Sequence, residues 1–220
     1  MKRFARGHAL FLQGDAGQRL MLITSGCVKL TQVSPEGKEV LLWMCGTDHV
    51  LGIRSELTGK PYSCSAEAVK TCTVLVWEHD ALASLAQQYP RLVQNLNGFL
   101  LTRIEELEER FRELATENVS RRLACTLLRL SRHIGSPSEG GTEIYLSRQE
   151  IARMTGTTLF SVSRILSEWG RDKLVLPKRN SVVLPDLALI AKVAEAEPRP
   201  SPSSGMPSRG RLRDFNSMPV

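Results

Sequence analysis

Apolar residues in the first third of the chain come in short runs. Ala9–Leu12, Leu20–Ile23, Cys27–Val33, Val40–Met44, His49–Leu51, Ser63–Val69 and Cys72–Trp77 are the segments. Turn signals separate them: Gly14-Asp15, Ser25-Gly26, Pro35-Glu36-Gly37-Lys38, Gly46-Thr47-Asp48 and Gly52. Short strands at this spacing, with glycine at the turns, predict an all-β sandwich or barrel.

The period lengthens from residue 80 onward. Asp80–Gln88 reads as one short helix, and Pro90 opens a long one, since proline suits the first helical turn. Along the long helix Val93, Leu96, Leu100, Ile104, Leu107, Phe111 and Leu114 are apolar, and Val93, Leu100, Leu107 and Leu114 recur every seven residues. That period holds one seam toward a partner helix. Arg103, Glu105, Glu106, Glu108, Glu109, Arg110, Arg112 and Glu113 fill the positions between. A charged helix with a narrow apolar seam predicts a dimer interface built on those seven apolar residues; packing against the chain's own β-segments is the competing arrangement.

Val119–Arg132 is a further amphipathic helix, with Leu123, Leu127, Leu128 and Leu130 against Arg121, Arg122, Arg129 and Arg132. Residues 135–141 (GSPSEGG) read as a flexible turn and Ile144–Leu146 as a short strand. Ser147-Arg148-Gln149-Glu150 then has the form of a capping box. It opens a helix over Gln149–Met154, which Thr155-Gly156-Thr157 breaks. Thr158 caps a second helix, Leu159–Arg171, with Val162, Ile165, Leu166 and Trp169 on one face. Two short helices about a glycine turn form a helix-turn-helix, whose second helix can enter a major groove. Leu174–Leu176, the basic turn Pro177-Lys178-Arg179-Asn180, and Val182–Leu184 read as a β-hairpin, a wing able to hold phosphate.

Charge strengthens the nucleic-acid reading. Residues 1–117 hold 13 Lys and Arg against 14 Asp and Glu, while residues 118–220 hold 16 against 9. The chain's net charge of +6 thus sits in its second half, beside the helix-turn-helix, and points to a polyanion partner. Hydrophobic residues make up 42% of the 220, enough for packed cores. No apolar run reaches the roughly 20 residues of a membrane helix, and the N-terminus lacks the apolar stretch of a secretory signal. Five scattered cysteines without a CxxC pair argue against a disulfide framework or structural zinc and suit a cytoplasmic protein. Residues 195–220 hold five of the eleven prolines and read as a disordered basic tail. No His-x-His pair, nucleophile–base spacing or phosphate loop stands out, so the chain reads as a non-enzyme. An all-β, cupin-like enzyme is the remote alternative.

These segments resemble the Crp/Fnr family of bacterial transcription regulators over about residues 9–185. LFLQGDAG, ITSGCVKL and PEGKEVLL resemble the family's β-roll, RRLACTLLRL the helix after its dimerisation helix, and LSRQEIARMTGTTLFSVSRIL its helix-turn-helix. The resemblance implies an α+β chain. Residues 1–89 would form a β-roll sensor of jelly-roll, cyclic-nucleotide-binding-like type. Residues 90–117 would form the dimerisation helix and 118–194 a winged helix-turn-helix, with a hinge near Thr116–Ser120. It further implies a homodimer on a two-fold-related DNA site, in contact with RNA polymerase. Arg148, Gln149, Thr157, Thr158, Phe160, Ser161, Ser163 and Arg164 would face the duplex, with Lys178 and Arg179 on the wing. Arg164 matches the family's guanine-reading arginine. Phe160 stands where many relatives carry a glutamate that accepts from cytosine, so the operator should differ beside that guanine. Relatives often have a helical leader, for which little room exists before residue 9.

Gly52 to Val74 resembles the family's effector segment, which makes Gly52, Ile53, Arg54, Tyr62, Ser63 and Leu107 the candidate effector-binding residues. Members that bind cyclic AMP carry a ribose-holding glutamate where Ile53 stands and a phosphate-pairing arginine where Tyr62 stands, which disfavours cyclic AMP here. The four-thiolate set of iron–sulfur members is absent, since the first cysteine is Cys27. Haem, through His8, His49, His79 or Cys64, stays open, and the cofactor is otherwise unknown; no metal site is expected. A β-roll that has lost its ligand, in a constitutive regulator, is the alternative reading.

Overall fold

A computed structural model describes residues 1–195, so residues 196–220, most of the expected disordered tail, lie outside the described residues. The first eight strands are β1 (Lys2–Phe4), β2 (Ala9–Phe11), β3 (Arg19–Ser25), β4 (Val28–Val33), β5 (Glu39–Cys45), β6 (Val50–Leu51), β7 (Ser65–Ala68) and β8 (Cys72–Glu78). They form two four-stranded antiparallel sheets, ordered β1-β8-β3-β6 and β2-β7-β4-β5. Both sheets feed one core, in which Ile23, Val28, Cys45, Ala66, Ala68, Cys72 and Val74 are fully enclosed. The small alanines and cysteines let the two sheets close tightly around the few large side chains, Phe11, Leu30, Trp43 and Tyr62.

Four elements escape the sequence pattern. β1 is short and mostly charged. Helix α1 (Ile53–Thr58) is one and a half turns between two left-handed glycines, Gly52 at φ 86° and Gly59 at φ 65°. A Cβ on Gly52 would lie 2.3 Å from the Arg19 carbonyl oxygen, so only glycine fits that approach. The other two, a short strand at Ser136–Ser138 and the C-terminal helix, are described below.

Helix α2 (His79–Gln88) leads into α3 (Pro90–Thr116), the long helix. Its inner face differs from the expected one. Leu96, assigned to the dimer seam, is buried against Leu20, Ile53 and Leu82, with Leu100 packed beside it. These two seam residues belong to the protomer's own core. Further along, the inner face is charged. The Arg103 and Arg110 guanidiniums lie 4.3 and 4.9 Å from the Trp43 ring centre, and Arg110 also donates to the Leu42 carbonyl at 2.5 Å. The other seam residues, Val93, Ile104, Leu107, Phe111 and Leu114, are exposed, and Leu101, which the heptad pattern omits, is exposed with them. Aliphatic arginine stems and indole contacts can replace leucine packing here, which is why the polar pattern misled.

Helix α4 (Val119–Ile134) follows after only Glu117 and Asn118; Asn118 caps it by accepting from the Arg121 backbone N–H. The helix-turn-helix is α5 (Arg148–Thr155) and α6 (Leu159–Arg171). The expected loop over 135–141 instead contains β9 (Ser136–Ser138), paired with β10 (Gly141–Ile144), so the expected strand at Ile144–Leu146 is the C-terminal edge of an earlier one. The wing is β11 (Leu176–Pro177) and β12 (Val182–Leu184), narrower on its first strand than expected. The third sheet runs β11-β12-β10-β9. Helix α7 (Leu187–Glu195) closes the unit by burying Ile190 in its core. That core includes Leu123, Leu127, Ile144, Ile151, Val162, Leu166 and Leu184, each burial contributing roughly 1.5–3 kcal/mol.

Candidate nucleic-acid interface and effector cavity

Local sequence fixes the helix-turn-helix. The Ser147 hydroxyl accepts from the Glu150 backbone N–H at 3.2 Å, and the Glu150 carboxylate accepts from the Ser147 N–H at 2.8 Å, the complete capping box. Gly156 ends α5 at φ 62°, a left-handed position that turns the chain toward Thr158. The Thr158 hydroxyl accepts from the Ser161 backbone N–H at 3.1 Å and caps α6. Val162, Ile165, Leu166 and Trp169 then anchor one face of α6 in the core.

The opposite face is open. Phe160 is 77% exposed, and Leu159 and Arg164 are exposed beside it. Arg164 Nη1 lies 2.8 Å from Glu168 Oε1, one turn on. Ser161 and Ser163 are half-buried at the edge of this face, and Thr157 and Thr158 form its N-terminal rim. Gln149 is exposed on α5, with Arg148 half-buried next to it. At the wing tip Arg179 is exposed, while Lys178 Nζ sits 3.0 Å from Glu143 Oε1, whose carboxyl is held below its ordinary range by the Ser181 hydroxyl and Lys178. Lys178 is therefore already paired within the wing, whereas Arg179 has no such partner among the described residues.

All six candidate effector residues, Gly52, Ile53, Arg54, Tyr62, Ser63 and Leu107, line one cavity of about 260 Å³ between the β-roll and α3. The sequence reading missed the rest of its lining, Trp43, Phe99 and Arg103 among it. Only the folding of α3 across the roll brings them there. Burial pushes up the thiols of Cys45 and Cys64, and carries Cys27 to about 12. These are protonated, unreactive thiols at neutral pH. Among the described residues no group of three or more His, Cys, Asp or Glu side chains is arranged to hold a metal ion, and no helix is long and apolar enough to cross a membrane.

A third arrangement joins the β-roll to α4. His49 Nε2 and His133 Nδ1 are 2.9 Å apart, His133 Nε2 lies 2.9 Å from Glu106 Oε1, and His49 Nδ1 lies 3.2 Å from the Thr47 carbonyl. Burial, the largest influence, lowers the His49 pKa and favours its neutral ring. Burial alone would raise Glu106, but the His133 hydrogen bond and the nearby Arg103 and Arg129 outweigh it and hold the carboxyl low. Around this chain the Arg129–Glu113 ion pair (2.5 Å) is buried, Arg153 reaches Glu39 across the junction at 2.7 Å, and Leu41 and Met44 of β5 join the helical core.

Comparison with known proteins follows this layout. Residues 1–89 match the cyclic nucleotide-binding domain family, and residues 121–193 match the Crp-like helix-turn-helix domain. A global nitrogen regulator from Synechococcus elongatus is 30% identical over 194 residues, covering 86% of this chain and 87% of that protein. A CRP-like cAMP-activated global transcriptional regulator from Mycobacterium tuberculosis is 28% identical over 193 residues, 87% of this chain and 86% of its own length. Among solved structures, a CRP-family transcriptional regulator from Thermus thermophilus superposes with a TM-score of 0.68 at 27% identity, covering 89% of this chain and 97% of that one. FixK2 from Bradyrhizobium japonicum, at 18% identity, shares the fold with a TM-score of 0.76 over 90% of this chain and 98% of its own.

Proposed function

Because the chain belongs to the Crp/Fnr family of transcription regulators, whose DNA-binding helix-turn-helix it carries, we propose that two copies pair along the exposed stripe of α3 and read a two-fold-related operator. The observation that supports this best is the asymmetry of α6. Its inner side chains Val162 and Leu166 are fully enclosed, while Phe160 and Arg164 stand in solvent on the other side. Nothing in the protomer's own packing calls for an exposed phenylalanine there.

Arg164 leaves Glu168 and donates two hydrogen bonds to guanine O6 and N7. Phe160 contacts an adjacent thymine methyl group. Ser161, Ser163, Thr157 and Thr158 lie along the groove edge, with Arg148 and Gln149 of α5 toward the flanking backbone. Arg179 of the wing neutralises a phosphate, joined by Lys178 once it releases Glu143. The dimer stripe consists of Val93, Leu101, Ile104, Leu107, Phe111 and Leu114. A helix-turn-helix dimer places its two reading helices about 34 Å apart, one turn of duplex. The bound dimer then contacts RNA polymerase.

The β-roll cavity is the effector site of this regulator. Its occupant reorients the DNA-binding unit across Glu117 and Asn118, provided the two orientations bind it with different affinity. Glu117 is held there by Arg112 at 3.0 Å and Arg121 at 2.6 Å, so the linker is braced on both sides.

Selection of bound duplexes from a random pool, with sedimentation of the purified chain, tests the reading. Enriched inverted repeats with a guanine in each half-site and a sedimentation mass of two copies are expected. A single-copy mass with no enriched sequence overturns it.

A further inference from the structure

The cavity between the β-roll and α3 has an unusual balance of chemistry. Its lining includes two arginines, Arg54 and Arg103, and no carboxylate. Most of the remaining wall is apolar or aromatic. Phe11 and Tyr62 stack there with ring centres 3.9 Å apart, and Trp43 and Phe99 flank Arg103. The wall's polar atoms are partly occupied. The Tyr62 hydroxyl donates to the Arg19 carbonyl at 2.9 Å, and the Ser55 hydroxyl donates to the Pro61 carbonyl.

Arg103 is the exception. Its side chain is only 14% exposed. Nη2 donates to the Cys45 sulfur at 3.2 Å, a weak acceptor, and the buried Nη1 has no hydrogen-bond partner. The nearest carboxylate oxygen, Glu106 Oε2, stands 3.8 Å from Nη1, beyond hydrogen-bond range, and the other oxygen of Glu106 is taken by His133. Nη1 itself is enclosed, so the part of Arg103 that lines the cavity is what an entering anion meets, in a charge-assisted contact that no carboxylate of the lining competes for.

A sugar phosphate answers the cation but not the walls. Its ribose hydroxyls would meet Ile53, Leu51 and Leu107 with no carboxylate to receive them. At about 260 Å³ the cavity is also below the roughly 300–1,000 Å³ of most ligand pockets, which suits one ring or a short chain.

Building on the effector role proposed above, we infer that this cavity takes a small aryl- or alkyl-carboxylate. The carboxylate would lie on Arg103, and the apolar body between Trp43 and the Phe11–Tyr62 stack.

The test uses the full chain with hydrocinnamate, its uncharged amide and cyclic AMP, read by calorimetry and by the change in tryptophan fluorescence. The acid should bind at least about tenfold more tightly than the amide or the nucleotide. Arg103→Gln should bring acid and amide to equal affinity, and Arg103→Lys should keep the preference for the acid. Equal affinity of acid and amide for the wild-type chain overturns the inference whether or not the variants fold. So does tighter binding of cyclic AMP, or no uptake of the acid at millimolar concentration. Duplex selection without any added ligand is scored separately. A chain that selects DNA but ignores hydrocinnamate refutes the ligand class alone, leaving the regulator reading intact.

Discussion

Replacing Arg164 with alanine separates a surface ion pair from a base contact, because the two differ widely in size. Among the described residues the guanidinium pairs only with Glu168, and the two side chains are 56% and 42% exposed. An exposed pair one turn apart contributes about 0.3–0.5 kcal/mol, and alanine is at least as good a helix former. Folding stability should therefore change by no more than about 0.5 kcal/mol. On DNA the loss is larger. One bidentate arginine–guanine contact discriminates by about 1–3 kcal/mol. A dimer makes it twice, giving roughly 2–6 kcal/mol if the distant half-sites add. The wild type gives up its two Glu168 pairs to reach the bases, an offset of up to about 1 kcal/mol. The net expectation is roughly 1–5 kcal/mol, or about fivefold to a few thousandfold in affinity. Anisotropy with a selected duplex at one fixed salt concentration measures it, alongside a thermal melt. The guanine-substituted duplex is the control, and the variant should bind both duplexes alike. Arg164→Lys should fall close to alanine, since a point charge cannot make the paired contact. A uniform loss on every sequence, or a melting temperature that drops by many degrees, would refute the assignment.

Further expectations concern the rest of the molecule. Phe111→Glu and Ile104→Glu place charges on the exposed stripe of α3 and should shift sedimentation toward one copy without changing the far-ultraviolet spectrum; unchanged mass argues against that stripe as the interface. Burial lowers the His49 pKa below its ordinary 6.5, so the folded chain resists a proton that the unfolded chain accepts. That contribution is complete above pH 6.5 and is lost as pH falls through the lowered value, so the melting temperature should fall from about pH 7 to about pH 5. His49→Gln should flatten this slope, and an equally steep profile in the variant counts against the histidine chain. Gly46→Ala would place a Cβ 2.1 Å from the His133 carbonyl oxygen, forcing apart backbone from two units. Overpacking of this kind costs about 1–3 kcal/mol, which a calorimetric melt would register; a variant as stable as wild type would show that the junction yields freely.

How much of this was legible in the sequence depended on how local the cause was. The helix-turn-helix was readable because Ser147, Glu150, Gly156 and Thr158 act on backbone groups within four residues of themselves. The observed bounds of α6 coincide with the expected Leu159–Arg171. The six cavity residues were found through family resemblance, and the structure gathers them, whereas Trp43, Phe99 and Arg103 depend on packing between distant segments. The long helix was predicted correctly as a helix, but which of its apolar residues face the protomer's own core was left open between two arrangements. Leu96 and Leu100 follow the apolar period yet pack inward, while Arg103, Arg110 and Glu113 hide polar ends behind aliphatic stems or ion pairs. Hydropathy cannot weigh such contacts. β9 escaped notice because Ser-Pro-Ser has no strand signature and gains order from its neighbour β10. Helix α7 follows Pro185, whose turn signal masked the short apolar run after it.

The two guanidiniums of α3 clasp the Trp43 indole much as a key engages its slot. Leucines would let a helix roll about its own axis and slide along a sheet at little cost. An indole held at two points about two helical turns apart, with a carbonyl bonded to the second, adds a directional cost of roughly 1–4 kcal/mol to either motion. Strand β5 and the long helix are thereby tied in one register, along with the side chains the helix shows to the outside.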